Sequence, residues 1–66
     1  MNIDYILTAL NGASPLCDDC LSERSGVTPR QAVNYLCRMH SPPIHREKGK
    51  NPCRDCDKYK IVNKLA

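Results

Sequence analysis

The sequence contains no Phe and no Trp, and three Tyr are its only large aromatic residues. A chain of 66 residues forms at most one domain, and it buries only about 60% of the surface that its unfolded form exposes. The core must therefore come from Ile, Leu, Val, Met and Cys. Small domains of this kind usually carry disulfides or a structural metal. We predict a single domain over residues 1–66 that depends on such an additional element.

Two further absences concern the compartment. No apolar run approaches the roughly 18 residues of a membrane span, and the first residues, MNIDYILTALNG, lack the basic and apolar regions of a signal peptide. The cysteine count of five is odd, which does not fit a fully paired disulfide framework. We expect a cytoplasmic protein with no membrane partner, whose thiols stay reduced and whose paired cysteines bind metal.

The cysteines form two C-x2-C pairs, Cys17 with Cys20 and Cys53 with Cys56, which are separated by 32 residues. Two such pairs supply the four thiolates of a structural zinc site. We predict a structural Zn²⁺ with these ligands, and we expect no enzyme activity because the coordination shell is closed. An iron-sulfur cluster uses the same ligand type, so an iron- or redox-sensing site is an alternative. Cys37 is expected to be a semi-buried apolar residue, with replacement of one ligand as the alternative.

Charge is distributed unevenly around a net value of +3. Residues 1–27 carry four carboxylates against one Arg, and residues 28–66 carry nine Lys or Arg against three carboxylates. This asymmetry indicates a basic binding face in the second part. A four-thiolate zinc site would itself carry −2 and leave a total of about +1, so the basic residues form only a local patch. The carboxylates inside the cysteine pairs, Asp18, Asp19 and Asp55, are expected to be solvated.

Apolar spacing predicts a first helix over residues 3–10, where Ile and Leu recur at i, i+3, i+4 and i+7. The Asn-Gly pair that follows ends this helix. The chain before Pro15 is predicted to be extended, because a residue that precedes proline is pushed out of the helical region. A second helix is predicted over residues 18–25, and Gly26 ends it.

The third helix has the clearest start signal in the sequence. We predict Thr28 as its N-cap, Pro29 at its first position and Gln31 as the partner that completes a capping box. It should run to about Met39 or His40, because two prolines follow shortly afterwards.

Two strand-like runs follow the prolines, at residues 44–48 and 59–62. They flank a polar loop that contains the second cysteine pair, so they predict a hairpin with a long tip. Residues 63–66 are expected to be a loose end or a last strand residue.

This order of elements resembles a winged helix-turn-helix domain. The segment DCLSERSGVTPRQAVNYLCRM, residues 19–39, is similar to the central motif of that family. Leu21 stands at an apolar position of the second helix, Ser22 at a small one, and Gly26 at the turn. The buried face of the third helix is then expected to contain Ala32, Leu36 and Met39. The cysteine pairs are an addition that the common winged helix lacks, and Ser25 occupies a usually apolar position.

The resemblance implies an α+β fold of three helices plus a β-hairpin wing, stapled by the four-cysteine metal site. In a winged helix the short first strand pairs antiparallel with the last strand of the hairpin, so zinc would clamp the second helix to the wing. The resemblance also implies a small bacterial or phage transcriptional regulator that binds double-stranded DNA, with the third helix in the major groove. The candidate base-reading residues are Arg30, Gln31, Asn34 and Arg38. The candidate phosphate-binding residues are Lys48, Lys50, Arg54, Lys58 and Lys60.

The same outer faces also suit an acidic protein partner, so a protein-interaction or adaptor domain is the main alternative. A steep loss of affinity with salt would distinguish a DNA-binding protein from an adaptor. The expected oligomeric state is a monomer or a weak homodimer that pairs through the first helix. Tyr35 and Tyr59 are expected to pack at the edge of the core.

Overall fold

The computed structural model describes residues 2–65, and within them the chain forms three helices and one three-stranded sheet. The elements are α1 (Asn2–Gly12), β1 (Leu16–Cys17), α2 (Asp18–Ser25), α3 (Arg30–Met39), β2 (Ile44–Lys48) and β3 (Ile61–Leu65). The sheet is antiparallel with the strand order β1-β3-β2. The predicted α+β class and the predicted hairpin are confirmed.

Helix α1 packs one face against the rest of the protein. Ile3, Ile6 and Leu10 are buried on this face, as the spacing of apolar residues predicts. The helix continues to Gly12, two residues beyond the predicted end, and the Ala13 amide still donates to the Ala9 carbonyl at 2.9 Å.

Helix α2 has the predicted bounds, and its end is fixed by a left-handed glycine. Gly26 has φ 76° and donates its amide to the Ser22 carbonyl at 2.9 Å. The buried hydroxyl of Ser22 donates to the Val27 carbonyl at 2.6 Å, so the small side chain at this position also supports the turn. Leu21 is fully buried beside it.

Helix α3 begins one residue later than predicted. Pro29 is its N-cap, with extended backbone angles, and no side chain caps the first turn. The predicted N-cap at Thr28 and the predicted capping box with Gln31 are therefore wrong. The shift moves Gln31 to the second helical position, whereas a capping box requires the third.

The buried face of α3 also differs from the prediction. Val33 and Cys37 are 0% exposed, whereas Met39 is 63% exposed; Ala32 and Leu36 are partly buried. The apolar stripe that meets α2 and β2 is therefore centred on a pair of residues at i and i+4, one position away from the predicted stripe. Cys37 is a fully buried core residue, and burial raises the pKa of its thiol to about 11.

Strand β3 begins later and ends later than the predicted run at residues 59–62. Its pairing with β2 extends from Ile61 opposite Lys48 to Leu65 opposite Ile44. Residues 63–65, expected to be a loose end or a last strand residue, thus complete the sheet, and Ala66 lies outside the described residues. The longer polar segment before β3, residues 49–60, is named the tip loop below.

Candidate metal centre and nucleic-acid interface

The four predicted ligands come together at one end of the sheet. The Sγ atoms of Cys17, Cys20, Cys53 and Cys56 all lie within 4.8 Å of one another, and those of Cys17 and Cys56 are 3.9 Å apart. A tetrahedral ion with sulfur ligands at about 2.3 Å requires sulfur separations of about 3.8 Å. All five cysteines of the chain are free thiols. The cluster can therefore hold a metal ion, and Cys37 is not part of it.

Strand pairing brings the two cysteine pairs together. Cys17 ends β1 opposite Val62 of β3, and β3 leads back to the tip loop. The Arg54 amide donates to the Pro15 carbonyl at 2.8 Å, which docks the tip loop beside the segment that enters β1. Within the loop, the Asp57 amide donates to the Cys53 carbonyl at 2.8 Å. The second pair is thus held in a tight turn that faces the first.

Backbone amides point at the sulfur atoms of the cluster. The Cys17 amide donates to the Cys53 Sγ atom at 3.3 Å across the two pairs. Burial raises the pKa of Cys53, but amides of Cys17, Cys56 and Asp55 outweigh this effect and lower it to about 6. The lowered pKa favours the thiolate form of Cys53, which is the form that binds metal.

The thiols of the first pair, Cys17 and Cys20, have pKa values above the ordinary value. Burial is the largest cause that raises the pKa of Cys17 and of Cys20. Neighbouring cysteines raise the pKa of Cys20 further, whereas hydrogen bonds from Cys20 lower that of Cys17 without outweighing burial. A bound cation would favour their thiolate forms, so metal binding at this cluster should release protons.

An exposed ion pair links α2 to the second cysteine pair. Arg24 donates from Nε at 2.6 Å and from Nη2 at 2.7 Å to the two carboxylate oxygens of Asp55. These hydrogen bonds hold the pKa of Asp55 below its ordinary value. Asp55 is exposed, as expected, and it also forms this ion pair because the C-terminal turn of α2 lies directly beside the tip loop.

Asp18, which follows the first ligand, is the centre of a buried polar network. Its carboxylate accepts hydrogen bonds from Arg46 Nη1 at 3.0 Å, Asn63 Nδ2 at 2.8 Å and Asn34 Nδ2 at 3.2 Å. Burial raises the pKa of Asp18, but these donors outweigh it and the pKa lies below its ordinary value. The expectation that Asp18 is solvated is wrong.

Asn63 completes this network from within the sheet. Its side chain is fully buried; Nδ2 donates to the Leu16 carbonyl at 3.1 Å, and Oδ1 accepts from Arg46 Nη1 at 2.8 Å. Within residues 2–65, no buried side-chain N or O atom lacks a hydrogen-bond partner. The network therefore joins all three strands to α2 and α3, although no residue type or spacing in the sequence predicts it.

The candidate base-reading residues all lie on α3, but their surroundings differ. Arg30, Gln31 and Arg38 are exposed, whereas Asn34 is partly buried and directs its amide to Asp18. Arg38 donates to the Asn34 side-chain oxygen over a long 3.5 Å. Arg30 Nε lies 3.2 Å from a carboxylate oxygen of Asp19.

The candidate phosphate-binding residues lie at the end of β2 and in the tip loop, and all are exposed. They are Lys48, Lys50, Arg54, Lys58 and Lys60. Lys60 Nζ lies 3.6 Å from the second carboxylate oxygen of Asp19. The other four form no ion pair with any residue in the part of the chain that the structure describes. The loop that carries the second cysteine pair is therefore also rich in unpaired cations.

Two tyrosines are more exposed than expected. Tyr35 on α3 is 60% exposed and Tyr59 in the tip loop is 67% exposed, so neither packs at the edge of the core. Met39, four residues after Tyr35 on α3, is also exposed, so α3 carries apolar as well as polar groups on its outer face.

No protein-family model, no curated protein and no solved structure matches the chain. Among residues 2–65, none of the helices is long and apolar enough to cross a membrane. The function must therefore be argued from the cysteine cluster and from the charged surface beside it.

Proposed function

We propose that the protein is a zinc-stabilised winged helix-turn-helix protein that binds double-stranded DNA as a small bacterial or phage transcriptional regulator. The order of elements supports this proposal, since a short first strand between the first two helices pairs with the last strand of a hairpin. In the proposed fold α3 is the recognition helix, and β2, the tip loop and β3 form the wing.

Zinc is the ion that the cluster fits best. All four available ligand atoms are cysteine sulfurs, and this set is typical of structural zinc sites. Separations of no more than 4.8 Å suit one ion at the centre, whereas a multi-iron cluster occupies more space between its ligands. The proposed zinc joins α2 to the wing and replaces core that a chain of this size lacks.

One observation carries the proposal of DNA binding. Arg30 at the start of α3 and Lys60 at the end of the tip loop both contact the carboxylate of Asp19. The start of the proposed recognition helix and the proposed wing therefore border one surface. The tip loop also carries exposed, unpaired cations, which would supply the salt-dependent contacts to phosphates that position a protein on DNA.

A mixed-sequence duplex with a fluorescent label tests this proposal by anisotropy over a range of salt concentrations. Lys50→Ala should weaken binding to every sequence and reduce the slope of log affinity against log salt by about one. Gln31→Ala should instead change sequence preference, because Gln31 is exposed at the start of α3 and amide side chains read adenine. No binding to any duplex at low salt would refute the proposal.

The adaptor function is the second candidate, and the exposed Tyr35 and Met39 favour it. They lie at i and i+4 on α3, so their side chains are neighbours on one face. Large exposed apolar groups are typical anchors of protein interfaces. An adaptor that uses these apolar anchors would bind its partner with little dependence on salt, and the double variant Tyr35→Ala, Met39→Ala would abolish that binding.

A further inference from the structure

The carboxylate of Asp19 bridges two cations that belong to different parts of the fold. One oxygen lies 3.2 Å from Arg30 Nε and the other lies 3.6 Å from Lys60 Nζ. The bridge borders a cleft of about 340 Å³ between α2, α3 and the start of β3, also lined by Asn34 and Ile61. Asp19 therefore occupies the position between the proposed recognition helix and the proposed wing.

A phosphate group makes the same kind of contacts as this carboxylate. Both are anions with several acceptor oxygens, and both bind Arg and Lys through charge-assisted hydrogen bonds. We propose that Asp19 is an internal competitor of a DNA phosphate for Arg30 and Lys60, and that it lowers the affinity of the protein for DNA. This inference rests on the proposed function and adds a residue that restrains it.

Asp19 and its neighbour Asp18 differ in their surroundings, and the difference indicates that Asp18 supports the structure whereas Asp19 is free to compete with a phosphate. Asp18 is buried and bound to three side chains, whereas the side chain of Asp19 is 53% exposed and, within residues 2–65, forms ion pairs with these two cations alone. Exposed ion pairs contribute little to stability. Since Asp18 also provides a negative charge at the start of α2, the fold does not depend on a charge at Asp19.

DNA binding would exchange one anion for another. Arg30 and Lys60 would leave the carboxylate for a phosphate, and Asp19 would turn towards solvent through its exposed side. While the bridge is intact, the two cations are partly neutralised, so they attract fewer phosphates and release fewer counterions on binding. Loss of the carboxylate charge would increase both the attraction of the two cations for phosphates and the number of counterions released on binding.

The experiment compares Asp19→Asn with Glu23→Gln, which removes the same charge from the same helix. Glu23 is exposed and forms no ion pair within residues 2–65. Measured by anisotropy on the mixed-sequence duplex, Asp19→Asn should bind about threefold to tenfold more tightly at low salt. Its salt slope should be steeper by about one to two, and Glu23→Gln should change affinity by less than about twofold.

A double-mutant cycle identifies the cations through which Asp19 acts. In an Arg30→Ala, Lys60→Ala background, Asp19→Asn should give no gain in affinity, because there is no cation left to release. Because Asp19 lies between the ligands Cys17 and Cys20, the metal content of each variant is measured by native mass spectrometry. We expect each variant to retain its metal. If Asp19→Asn loses metal, Asp19→Ser replaces it in the cycle.

The other outcomes overturn the inference in distinguishable ways. Equal gains in Asp19→Asn and Glu23→Gln would show a general effect of net charge. Weaker binding by Asp19→Asn would show that the carboxylate orients the two cations for binding. Absence of DNA binding in the wild type and in every variant would refute the proposed function and this inference together.

Discussion

The guanidinium of Arg46 and the carboxylate of Asp18 form an ion pair beneath α3, with Nη1 and Oδ1 3.0 Å apart. The two side chains are only 18% and 7% exposed, and Asn63 bonds to both of them. Loss of one partner from such a pair leaves the other charge buried and uncompensated, which is costly.

The first prediction follows from this pair. Asp18→Asn keeps the shape of the side chain but removes the charge that balances Arg46, so we expect it to lower the free energy of unfolding by about 3 kcal/mol. Urea denaturation of the metal-bound protein measures the change. Glu23→Gln, at an exposed position on the same helix, should differ from the wild type by less than about 0.5 kcal/mol. Similar midpoints for both variants would contradict a stabilising role for the pair.

The second prediction concerns the two glycines that end α1 and α2. Gly26 has a positive φ that L side chains rarely adopt, although a Cβ atom there would meet nothing within 4 Å. Gly26→Ala should therefore cost about 1 kcal/mol through backbone strain alone. Gly12 has no such φ and equally open surroundings, so Gly12→Ala should be neutral or stabilising. Thermal unfolding of both variants measures the difference, and an equal effect would refute the backbone explanation.

Local signals in the sequence predicted the elements well but not how α3 is rotated. The bounds of α2 and β2 were predicted correctly, because a turn glycine, prolines and polar segments delimit them. The prediction of the buried face of α3 was wrong by one position. Both Leu36 and Cys37 are apolar enough for a core, so composition alone does not decide between them, and the burial of Cys37 depends on packing against α2 and β2.

The cysteine cluster was predictable because C-x2-C spacing reports metal-ligand geometry directly. The network around Asp18 was not, because its members lie far apart in the sequence and no spacing pattern links them. Asn63 and Arg46 lie in short polar strands, where alternation does not show which polar residue points inwards. For the same reason Asn34 was predicted to lie on the outer face of α3, whereas it directs its amide to Asp18.

The third prediction separates the ligand cysteines from the core cysteine. Cys17→Ser should lose the bound metal and unfold at a lower urea concentration, since three thiolates hold a structural ion less well than four. Cys37→Ala should retain the metal and cost only about 1 kcal/mol, as expected for a small buried side chain. Native mass spectrometry and urea denaturation of both proteins check these outcomes. Loss of the metal from Cys37→Ala would show that Cys37 is a ligand.

The fourth prediction concerns the exposed pair between Arg24 and Asp55. Because both side chains face solvent, salt should screen their attraction. Arg24→Gln should lower the unfolding midpoint at low salt, and the difference from the wild type should shrink as salt increases. Lys58→Gln removes a cation of the tip loop that is exposed and forms no ion pair within residues 2–65, and it should show no comparable loss at low salt. A salt-independent effect of Arg24→Gln would indicate packing by the side chain and not charge.

The contact between Cys17 and Cys53 spans 36 positions of the chain, and this separation has a topological consequence. An ion bound by all four sulfurs would close α2, α3 and β2 into one covalently continuous ring through the metal. Cross-links that close loops of this length restrict the unfolded chain by about 4 kcal/mol in the chain-entropy description. Much of the stabilisation by the metal would therefore come from the conformational entropy that it removes from the unfolded chain. If the ion stays bound on unfolding, refolding would begin from a ring and not from an open chain.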